Sequence, residues 1–532
     1  MICLVINGKI YLHTAGAKGW VIIMGERIKL SEIYLGDVDG ETEVAKCKNF
    51  YDLFYCRDEV IDGLIDGNKY VIIGRKGTGK TLLAYFIKSI IDEKGNNYHC
   101  KICGSNDINL QKLLDIGESS IPVDQMGTYW EYTLYKLIAN MLVQKEAGIK
   151  RFIPFTSAKY LKRFLEKKSD MFKLIEYTDA HSISGMLKGS LKNIESETSS
   201  STSYEGKYVH KKFYDRLERL KFLVEKNLKN KCQAILMIDE LDCLDVSSKM
   251  DRNYSICIAS LINTAKKINN EFTKLNNCNS KIIILIRNDI IDYLNENDSN
   301  INKAIGGKDI ELDWWNKVDD DSPYEHPLIE MLLLKVRNSN DFFKERTNKE
   351  IYRMIFPKEV EGKSIISYLL DNSFGRPRDI ISFLNIIKEK ERNSYYFDPK
   401  YFKKYKCYYS KAFYDELKNE ISIHERSAML NDSIKLLRDY KKTSFLFQEL
   451  EYYFSLNHEY YPNINNFKEA IRALYYQGVI GNVWTKLTTN SNGKICSKSF
   501  VSWSYRNDSD PEPNFTNKFI VHKALIMSLS IK

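Results

Sequence analysis

Eight consecutive residues, Gly74 to Thr81, read GRKGTGKT and have the clearest chemical potential in the chain. They fit the spacing GxxxxGK(S/T), in which glycines allow successive backbone N–H groups to turn toward a phosphate group. An apolar run precedes this loop and a run that favours a helix follows it, so the positive end of a helix dipole would face the same phosphate. The pattern predicts phosphate binding by Gly74, Arg75, Lys76, Gly77, Thr78, Gly79, Lys80 and Thr81.

Two side chains at the end of the loop have separate predicted roles. Lys80 is expected to reach the β and γ phosphates of ATP and to act in catalysis, and the Thr81 hydroxyl is expected to ligate Mg²⁺. ATP and Mg²⁺ are therefore the predicted cofactors, and the predicted activity is Mg-dependent ATP hydrolysis. A chance match to the motif is the alternative, against which the flanking strand and helix argue.

The run Ile235-Leu-Met-Ile238 ends in two acidic residues, Asp239 and Glu240. Such a run predicts a buried strand whose carboxyl end carries both acids, which is where α/β sheets bind ligands. We expect Asp239 to hold Mg²⁺, directly or through water, and Glu240 to orient or deprotonate the attacking water. The alternative is that Asp239 and Glu240 only mark the end of a strand. The nearby Asp242 and Asp245 are more typical of turn or helix-cap residues than of ligands.

A third apolar run, Lys281–Ile286, is followed by Arg287, Asn288 and Asp289. Adjacent parallel strands bring their carboxyl ends together, so Arg287 or Asn288 would touch the γ-phosphate or the lytic water. We predict that Arg287 is the phosphate sensor and a catalytic residue, and that Asn288 binds the nucleotide. A surface salt bridge between Arg287 and Asp289 is the alternative.

The segment Gly375-Arg-Pro-Arg-Asp379 precedes a helical run and places proline where a first helical turn accepts it. From a lid, Arg378 or Arg376 would reach back to the phosphates, with Arg378 as the predicted nucleotide-binding residue. Helix capping or an ion pair is the alternative role for either arginine.

The elements that must position these residues define the fold class. Runs at 70–73, 234–238 and 281–286 are apolar on both faces and predict central strands of a parallel sheet, while 50–65 and 82–91 have helical periodicity. The predicted fold is α/β: a P-loop NTPase parallel-sheet core with a large helical insertion, a helical lid and a C-terminal winged-helix-like domain. The predicted boundaries are 1–45 for an N-terminal arm of unknown fold, 46–310 for the ATPase core with its insertion at about 125–230, 311–400 for the lid, 401–430 for a linker and 431–532 for the winged-helix-like domain.

The C-terminal domain is predicted from three helical runs and two strand-like runs: Ser433–Tyr440, Phe445–Phe454, Phe467–Gln477, Val483–Thr488 and Phe500–Tyr505, with the turn Asn490–Gly493 between the strands. Modules of this kind often read duplex DNA with the third helix. Here Lys468 and Arg472 are opposed by Glu469, so protein docking or intramolecular regulation is supported at least as well as DNA binding.

Composition excludes several classes of protein. With 43% hydrophobic and 28% charged residues in 532, the chain is neither disordered, collagen-like nor a coiled coil, and its net charge of +9 permits nucleic-acid contact without requiring it. We find no secretory leader and no apolar run near membrane-spanning length, so we expect a cytoplasmic protein without membrane contact. Cys100 and Cys103 form a single CxxC, which we interpret as reduced thiols or, alternatively, half of a zinc site shared with another chain.

In order, the motifs GRKGTGKT, ILMIDE, LIRND and GRPRD, followed by the winged-helix-like part, resemble those of AAA+ and STAND-type bacterial ATPases related to origin-recognition proteins. The resemblance covers roughly residues 46–530. It implies that Arg287 matches the first sensor position and that Arg378, with Arg376 less favoured, matches the second sensor on the lid. The set looks especially like P-loop ATPases associated with mobile elements and phage defence.

The resemblance also implies assembly, because such ATPases complete the active site with an arginine from a neighbouring subunit. Arg337, Arg376 and Arg378 are the candidates, so a homo-oligomer is expected. The chain departs from the compact family in one respect: Lys80 and Asp239 are 159 residues apart, which requires a large helical insertion between them. KAP-type ATPases also carry long insertions there, but theirs typically hold membrane helices and this one does not.

Three functions fit these observations. The first is an ATP-hydrolysing motor or switch, in anti-phage defence or DNA transactions; the second is a nucleotide-gated docking module with little turnover; the third is a DNA-binding regulator with a degenerate ATPase. Glu240 favours the first over the second, because a switch that only holds nucleotide needs no general base. We find no nuclease, TIR, protease or deaminase constellation in the sequence, so any toxic effector would be a separate protein.

Overall fold

The structure, a computed structural model, describes residues 2–6, 9–13, 21–23, 28–47, 50–110, 114, 123–144, 156–166, 216–229, 232–242, 252–275, 279–297, 301–424, 426–489 and 495–531. The chain divides into two compact units. Residues 56–313 with 423–425 form the first, here called the sheet unit. Residues 1–55, 314–422 and 426–532 form the second, here called the helical unit.

The strands in the described residues belong to four sheets. In chain order they are β1 Ile2–Ile6, β2 Lys9–His13, β3 Val21–Ile23, β4 Val71–Ile73, β5 Tyr98–Cys103, β6 Gln233–Ile238, β7 Lys281–Ile286, β8 Asp309–Glu311, β9 Glu359–Val360, β10 Lys363–Ser364, β11 Ser444–Phe445, β12 Ile480–Thr489, β13 Ile495–Ser502 and β14 Lys518–Val521.

The α-helices are referred to by their residue ranges. In the sheet unit they are Asp58–Ile65, Lys80–Glu93, Val123–Gln144, Ser157–Glu166, 216–228, Arg252–Thr273, Asn288–Asn297 and Ile301–Ile305. In the helical unit they are Gly40–Lys46, Phe50–Leu53, Pro327–Ser339, Asn348–Ile355, Ile365–Asp371, Pro377–Lys390, Pro399–Ser422, Ser427–Tyr440, Phe447–Asn457 and Phe467–Tyr476.

A five-stranded parallel sheet organises the sheet unit, with the strand order β5-β6-β7-β4-β8. Every residue of β4, β6 and β7 is buried, as expected for parallel strands that carry helices on both faces. The prediction of an α/β protein with a parallel sheet is therefore confirmed. Since β7 lies between β4 and β6, the loops that follow these three strands leave the same edge of the sheet side by side.

The helices of the predicted insertion pack on this sheet. In Val123–Gln144, the buried Trp130 indole donates a hydrogen bond of 3.0 Å to the Cys257 carbonyl in Arg252–Thr273. Leu161 and Leu220 belong to the same buried cluster as Ile238 of β6. The described helices between β5 and β6 therefore contribute to the core of the sheet unit. The Ser/Thr/Glu-rich stretch at 195–203, whose composition predicts a loop, lies outside the described residues.

The N-terminal segment is bound to the helices of the helical unit. Leu30, Ile33 and Leu35 are buried in its apolar cluster, and Leu30 N donates to the Ser394 carbonyl at 2.7 Å. The carboxylate of Glu43, in Gly40–Lys46, forms an ion pair with Lys335, and both side chains are almost completely enclosed. Residues 28–45, for which the sequence predicted no fold, thus pack against the helices that follow β8 in the chain.

The C-terminal residues form an antiparallel sheet with the strand order β11-β14-β12-β13. Three helices occur in the same part of the sequence. Ser427–Tyr440, Phe447–Asn457 and Phe467–Tyr476 lie at the three positions where helices are predicted. The predicted turn Asn490–Gly493 falls outside the described residues.

Two sequence predictions need correction. The helical run at 50–65 is divided into Phe50–Leu53 and Asp58–Ile65, because the boundary between the two units falls between residues 55 and 56. The segment predicted as a linker at 401–430 is instead occupied largely by Pro399–Ser422, whose Phe402, Tyr409 and Phe413 are buried in the helical unit.

Among the described helices, none combines the length and apolar character needed to cross a lipid bilayer.

We predict that Glu43→Gln destabilises the helical unit by about 3–5 kcal/mol, because the substitution leaves the enclosed Lys335 ammonium without its counter-charge. Urea unfolding of the intact chain would measure this loss. Lys344→Gln is the matched control, since Lys344 pairs with Asp341 at an exposed site and should change stability by less than about 1 kcal/mol. A loss for Glu43→Gln no larger than that of the control would contradict a structural role for the pair.

Candidate functional site

The loop from Gly74 to Thr81 connects β4 to the helix Lys80–Glu93. Gly77 and Gly79 have φ values of +82° and +96°, a backbone region that side chains rarely tolerate. A Cβ on Gly74 would lie 2.6 Å from the Thr78 hydroxyl oxygen, which donates a 2.8 Å hydrogen bond to the Arg75 carbonyl. The glycine spacing is thus explained by backbone conformation at two positions and by close packing at the third.

The loop curls around the ammonium group of Lys80. Lys80 Nζ donates to the carbonyl oxygens of Gly74 and Arg75 at 2.8 and 3.1 Å. Burial lowers the pKa of Lys80 to about 8, although the carboxylates of Asp242 and Asp239 act in the opposite direction. The cation is therefore held by neutral acceptors of its own loop, which a stronger anionic acceptor would displace.

Thr81 and Asp239 bring the first and second predicted motifs together. The Thr81 hydroxyl donates a 2.7 Å hydrogen bond to Asp239 Oδ2, and Asp239 Oδ1 accepts from the backbone N–H of Glu240 at 2.8 Å. Asp239 is buried, and this burial raises the pKa of its carboxyl above the usual range. One hydroxyl and one carboxylate oxygen at this separation fit the few protein oxygens through which Mg²⁺ is usually held beside substrate phosphates.

Glu240 has an unusual backbone conformation, with φ of +58°. Its carboxylate lies against Gly104, directly after β5, where a Cβ would stand only 2.3 Å from Glu240 Oε2. The Glu240 carboxylate can therefore occupy this position only because residue 104 is a glycine. Left-handed backbone in a non-glycine residue costs free energy and is concentrated at functional sites.

Arg287 lies directly after β7 and is nearly buried, with 5% of its surface exposed. Its Nε donates to Asp289 Oδ1 and its Nη1 donates to Asp242 Oδ2, each at 2.9 Å. Asp289 Oδ2 is also 3.1 Å from His424 Nε2. Burial alone would raise the pKa of Asp289, but Arg287 and His424 hold it well below the usual range, so the carboxyl is ionised.

Asn288 follows Arg287 and begins the helix Asn288–Asn297. Its amide nitrogen donates to Glu311 Oε1, at the end of β8, at 2.8 Å. Its amide oxygen is buried and has no hydrogen-bond partner in the described part of the chain. An unsatisfied acceptor at this edge of the sheet is suited to a hydroxyl, a water or a cation.

The two arginines of the GRPRD motif differ in their environment. Arg376 has 2% of its surface exposed, and its guanidinium is held by Asp379 and Glu420. Arg378 is partly exposed and donates to Glu416 Oε1 at 2.6 Å and to the Val38 carbonyl at 3.2 Å. Both belong to the helical unit. Arg376 therefore has the ion-pair role that was the alternative to nucleotide binding.

Arg337 is also in the helical unit, near the end of Pro327–Ser339. Its Nε donates to the Arg346 carbonyl at 3.2 Å, and its Nη2 donates to the Asn348 side chain. These contacts connect neighbouring segments of the helical unit.

The carboxyl ends of β4, β6 and β7 bring together six of the predicted residues: Lys80, Thr81, Asp239, Glu240, Arg287 and Asn288. Sequence reasoning correctly placed Asp242 in a turn and considered Asp289 as an ion-pair partner of Arg287, but it did not predict that both carboxylates hold a buried arginine. It missed Gly104 and His424 altogether. The close approach of Glu240 to Gly104 has no sequence motif that predicts it, and His424 is far along the chain from Asp289. Asp245 lies outside the described residues.

The CxxC pair lies within β5 and is buried. Successive side chains of a strand point to opposite faces, so positions three apart, such as Cys100 and Cys103, face away from each other. Burial raises the pKa of the Cys103 thiol to about 11, which disfavours the thiolate that zinc requires. These observations favour two separate structural thiols.

Residues 327–418 match the family described as the FunZ-associated C-terminal helical domain. The matched segment lies in the helical unit and runs from Pro327–Ser339 into Pro399–Ser422. No curated protein sequence matches the chain.

We predict that Glu240→Val lowers the free energy of unfolding by about 1–2 kcal/mol, because a β-branched side chain is strongly disfavoured at the φ of +58° observed here. Glu240→Gln has the same Cβ as glutamate and is the matched control, with no change expected. Glu240→Gly should be at least as stable as the control. Equal denaturation midpoints for the valine and glutamine variants would show that the positive φ is not retained in solution.

Proposed function

We propose that the protein is an Mg-dependent ATPase of the P-loop class. The observation that carries this proposal is the Thr81–Asp239 hydrogen bond, which joins the glycine-rich loop to the acidic end of a second buried strand. A phosphate-binding loop with a lysine, beside a hydroxyl and a carboxylate suited to Mg²⁺, is the arrangement that phosphoryl transfer requires. The match to GxxxxGK(S/T) and the position of the loop between strand and helix support the same conclusion.

Lys80 binds the phosphates in this proposal. Its ammonium group exchanges the carbonyl oxygens of Gly74 and Arg75 for oxygens of the β and γ phosphates, which are charged and therefore stronger acceptors. Since anionic oxygens favour the ammonium form, nucleotide binding raises the pKa of Lys80 from about 8. Near pH 8, binding should therefore take up protons.

Thr81 and Asp239 would hold Mg²⁺, which when bound neutralises negative charge on the phosphates. Asp239 must be ionised for this role, whereas burial raises its pKa. A divalent cation stabilises the carboxylate and so opposes that effect. The Thr81 hydroxyl oxygen would be available to the cation once its hydrogen bond to Asp239 is rearranged.

Glu240 is the proposed base, because it is the acidic side chain immediately beyond Asp239 and its backbone is fixed by a hydrogen bond to that residue. Glu240 is partly exposed, so its carboxylate is able to accept a proton from an attacking water. Arg287 is the proposed phosphate sensor. Its contacts with Asp242 and Asp289 fix the plane of the guanidinium at the carboxyl end of β7, beside the loop strand β4.

We further propose assembly into a homo-oligomer in which a neighbouring subunit supplies an arginine. Arg337 and Arg378 are the better candidates, because the guanidinium of Arg376 is enclosed by Asp379 and Glu420. The proposal of a cytoplasmic switch of AAA+ or STAND type, acting in phage defence through a separate effector, rests on the motif resemblance. The FunZ-associated domain match, at 327–418, overlaps the segment proposed as the lid, at 311–400, from residue 327 onward.

A nucleotide-gated regulator with a winged-helix-like docking module is the second candidate. Arg472, on the proposed recognition helix, is paired with Glu469 and lies 3.7 Å from Glu512. Neutralised arginines contribute little to phosphate contacts, so this observation favours docking to protein over DNA. This regulator would bind ATP with little turnover.

We predict that Lys80→Ala weakens ATP binding by about tenfold to a hundredfold for each charge-assisted hydrogen bond lost. Isothermal titration calorimetry with Mg-ATP would measure the affinity. Lys69→Ala is the matched control in the sheet unit, since Lys69 lies outside the glycine-rich loop, is partly exposed, and donates from its ammonium group to the Gly307 carbonyl. Unchanged affinity in Lys80→Ala would remove the P-loop assignment.

We predict that Glu240→Gln binds ATP normally but hydrolyses it about 10² to 10⁴ times more slowly, which is the usual contribution of a positioned base. Gly104→Ala should also slow hydrolysis, because its methyl group displaces the Glu240 carboxylate with little effect on folding. Phosphate release under saturating ATP would measure both rates, with the exposed Glu93→Gln as control. An intact rate in Glu240→Gln would show that Glu240 is only a strand-end residue and that another group activates the water.

A further inference from the structure

His424 completes the charged cluster around Arg287. Its Nε2 is 3.1 Å from Asp289 Oδ2, and its side chain is only 16% exposed. The preceding residue, Ile423, packs against the buried apolar cluster of the sheet unit. The His424 ring is therefore placed by packing, beside a carboxylate that already holds the arginine proposed as phosphate sensor.

The carboxylate of Asp289 is shared between two groups. Oδ1 accepts from Arg287 Nε at 2.9 Å, whereas Oδ2 accepts from Arg287 Nη2 and faces His424. Asp242 holds the third nitrogen of the same guanidinium. With a neutral imidazole, the cluster has two carboxylates and one cation; with an imidazolium, its charges balance.

We propose that His424 is a positioning residue that acts through Asp289 to control how strongly Arg287 attracts the nucleotide's phosphates. This inference rests on the proposed ATPase function and concerns regulation of that same site. A protonated His424 competes for Asp289 Oδ2 and cancels one negative charge near the phosphates. Both effects make the Arg287 charge more effective toward an anion, so nucleotide binding tightens when His424 gains a proton.

Besides His424, the charged groups of this cluster are Asp289, Asp242 and Arg287, and among the described residues Lys80, Asp239 and Tyr254 interact with them electrostatically. Burial raises the pKa of Tyr254 far above its usual range, so the phenol stays neutral, and Asp289 stays ionised because its pKa is held low. Lys80, with a pKa of about 8, titrates above neutrality. Histidine is the side chain that ordinarily titrates between about pH 6 and pH 7.2, which is the interval to examine.

Calorimetric titration of the full chain with Mg²⁺ and a non-hydrolysable ATP analogue, at the two ends of this interval, tests the proposal. The wild-type chain should bind more tightly at the lower pH, by about threefold to tenfold beyond any change in His424→Gln, as expected for one charge acting across several ångströms. Protonation of the nucleotide itself affects every variant equally, so it cancels when the variants are compared. His458→Gln, an exposed histidine of the helical unit, is the matched control and should retain the wild-type response.

His424→Lys separates charge from packing, because lysine stays cationic throughout the interval. This variant should bind tightly at both pH values, and thermal unfolding would verify that both His424 variants are folded. A wild-type pH response in His424→Gln, or weak binding in His424→Lys like that of His424→Gln, would overturn the role of His424 while leaving the ATPase proposal intact. Loss of the Lys80 requirement for binding would instead overturn the proposed function, and the inference with it.

Discussion

The hydrogen bond from the Thr81 hydroxyl to the Asp239 carboxylate spans 158 positions of sequence and connects the loops that follow β4 and β6. These two strands are not neighbours, since β7 lies between them. The bond forms only if the parallel sheet has this strand order and if the intervening helices pack on its faces. The sheet, the buried helices and the glycine-rich loop thus depend on one another at this point, and every proposed step of catalysis takes place around it.

Charge is concentrated at the same edge of the sheet, in surroundings that screen it poorly. Burial lowers the pKa of Lys80 and raises that of Asp239, while Arg287 and His424 stabilise the ionised form of Asp289. Opposed shifts of this kind, together with the left-handed backbone of Glu240, are typical of sites that bind and activate charged ligands. The helical unit, by contrast, uses its enclosed ion pairs to fasten its own segments together.

The sequence was most informative where a pattern is local. The loop at 74–81 and the apolar runs before Asp239 and Arg287 each contain their own strand and turn signals, and the structure places them as predicted. Features that depend on tertiary structure had no such local signal. Examples are the break in the helix after Phe50–Leu53, at the boundary between the two units, and the contact between His424 and Asp289. Arg287 shows the intermediate case, since its partner was recognised but its burial was not.

The assignment of residues 74–81 as an ATP site can be tested with a structure of the chain bound to Mg²⁺ and a non-hydrolysable ATP analogue. We expect Lys80 Nζ to leave the carbonyl oxygens of Gly74 and Arg75 and to contact the β and γ phosphates. We also expect the Thr81 hydroxyl to turn from Asp239 to the cation. A nucleotide bound elsewhere in the chain, or bound here with Lys80 still held by its own loop, would rule out this assignment.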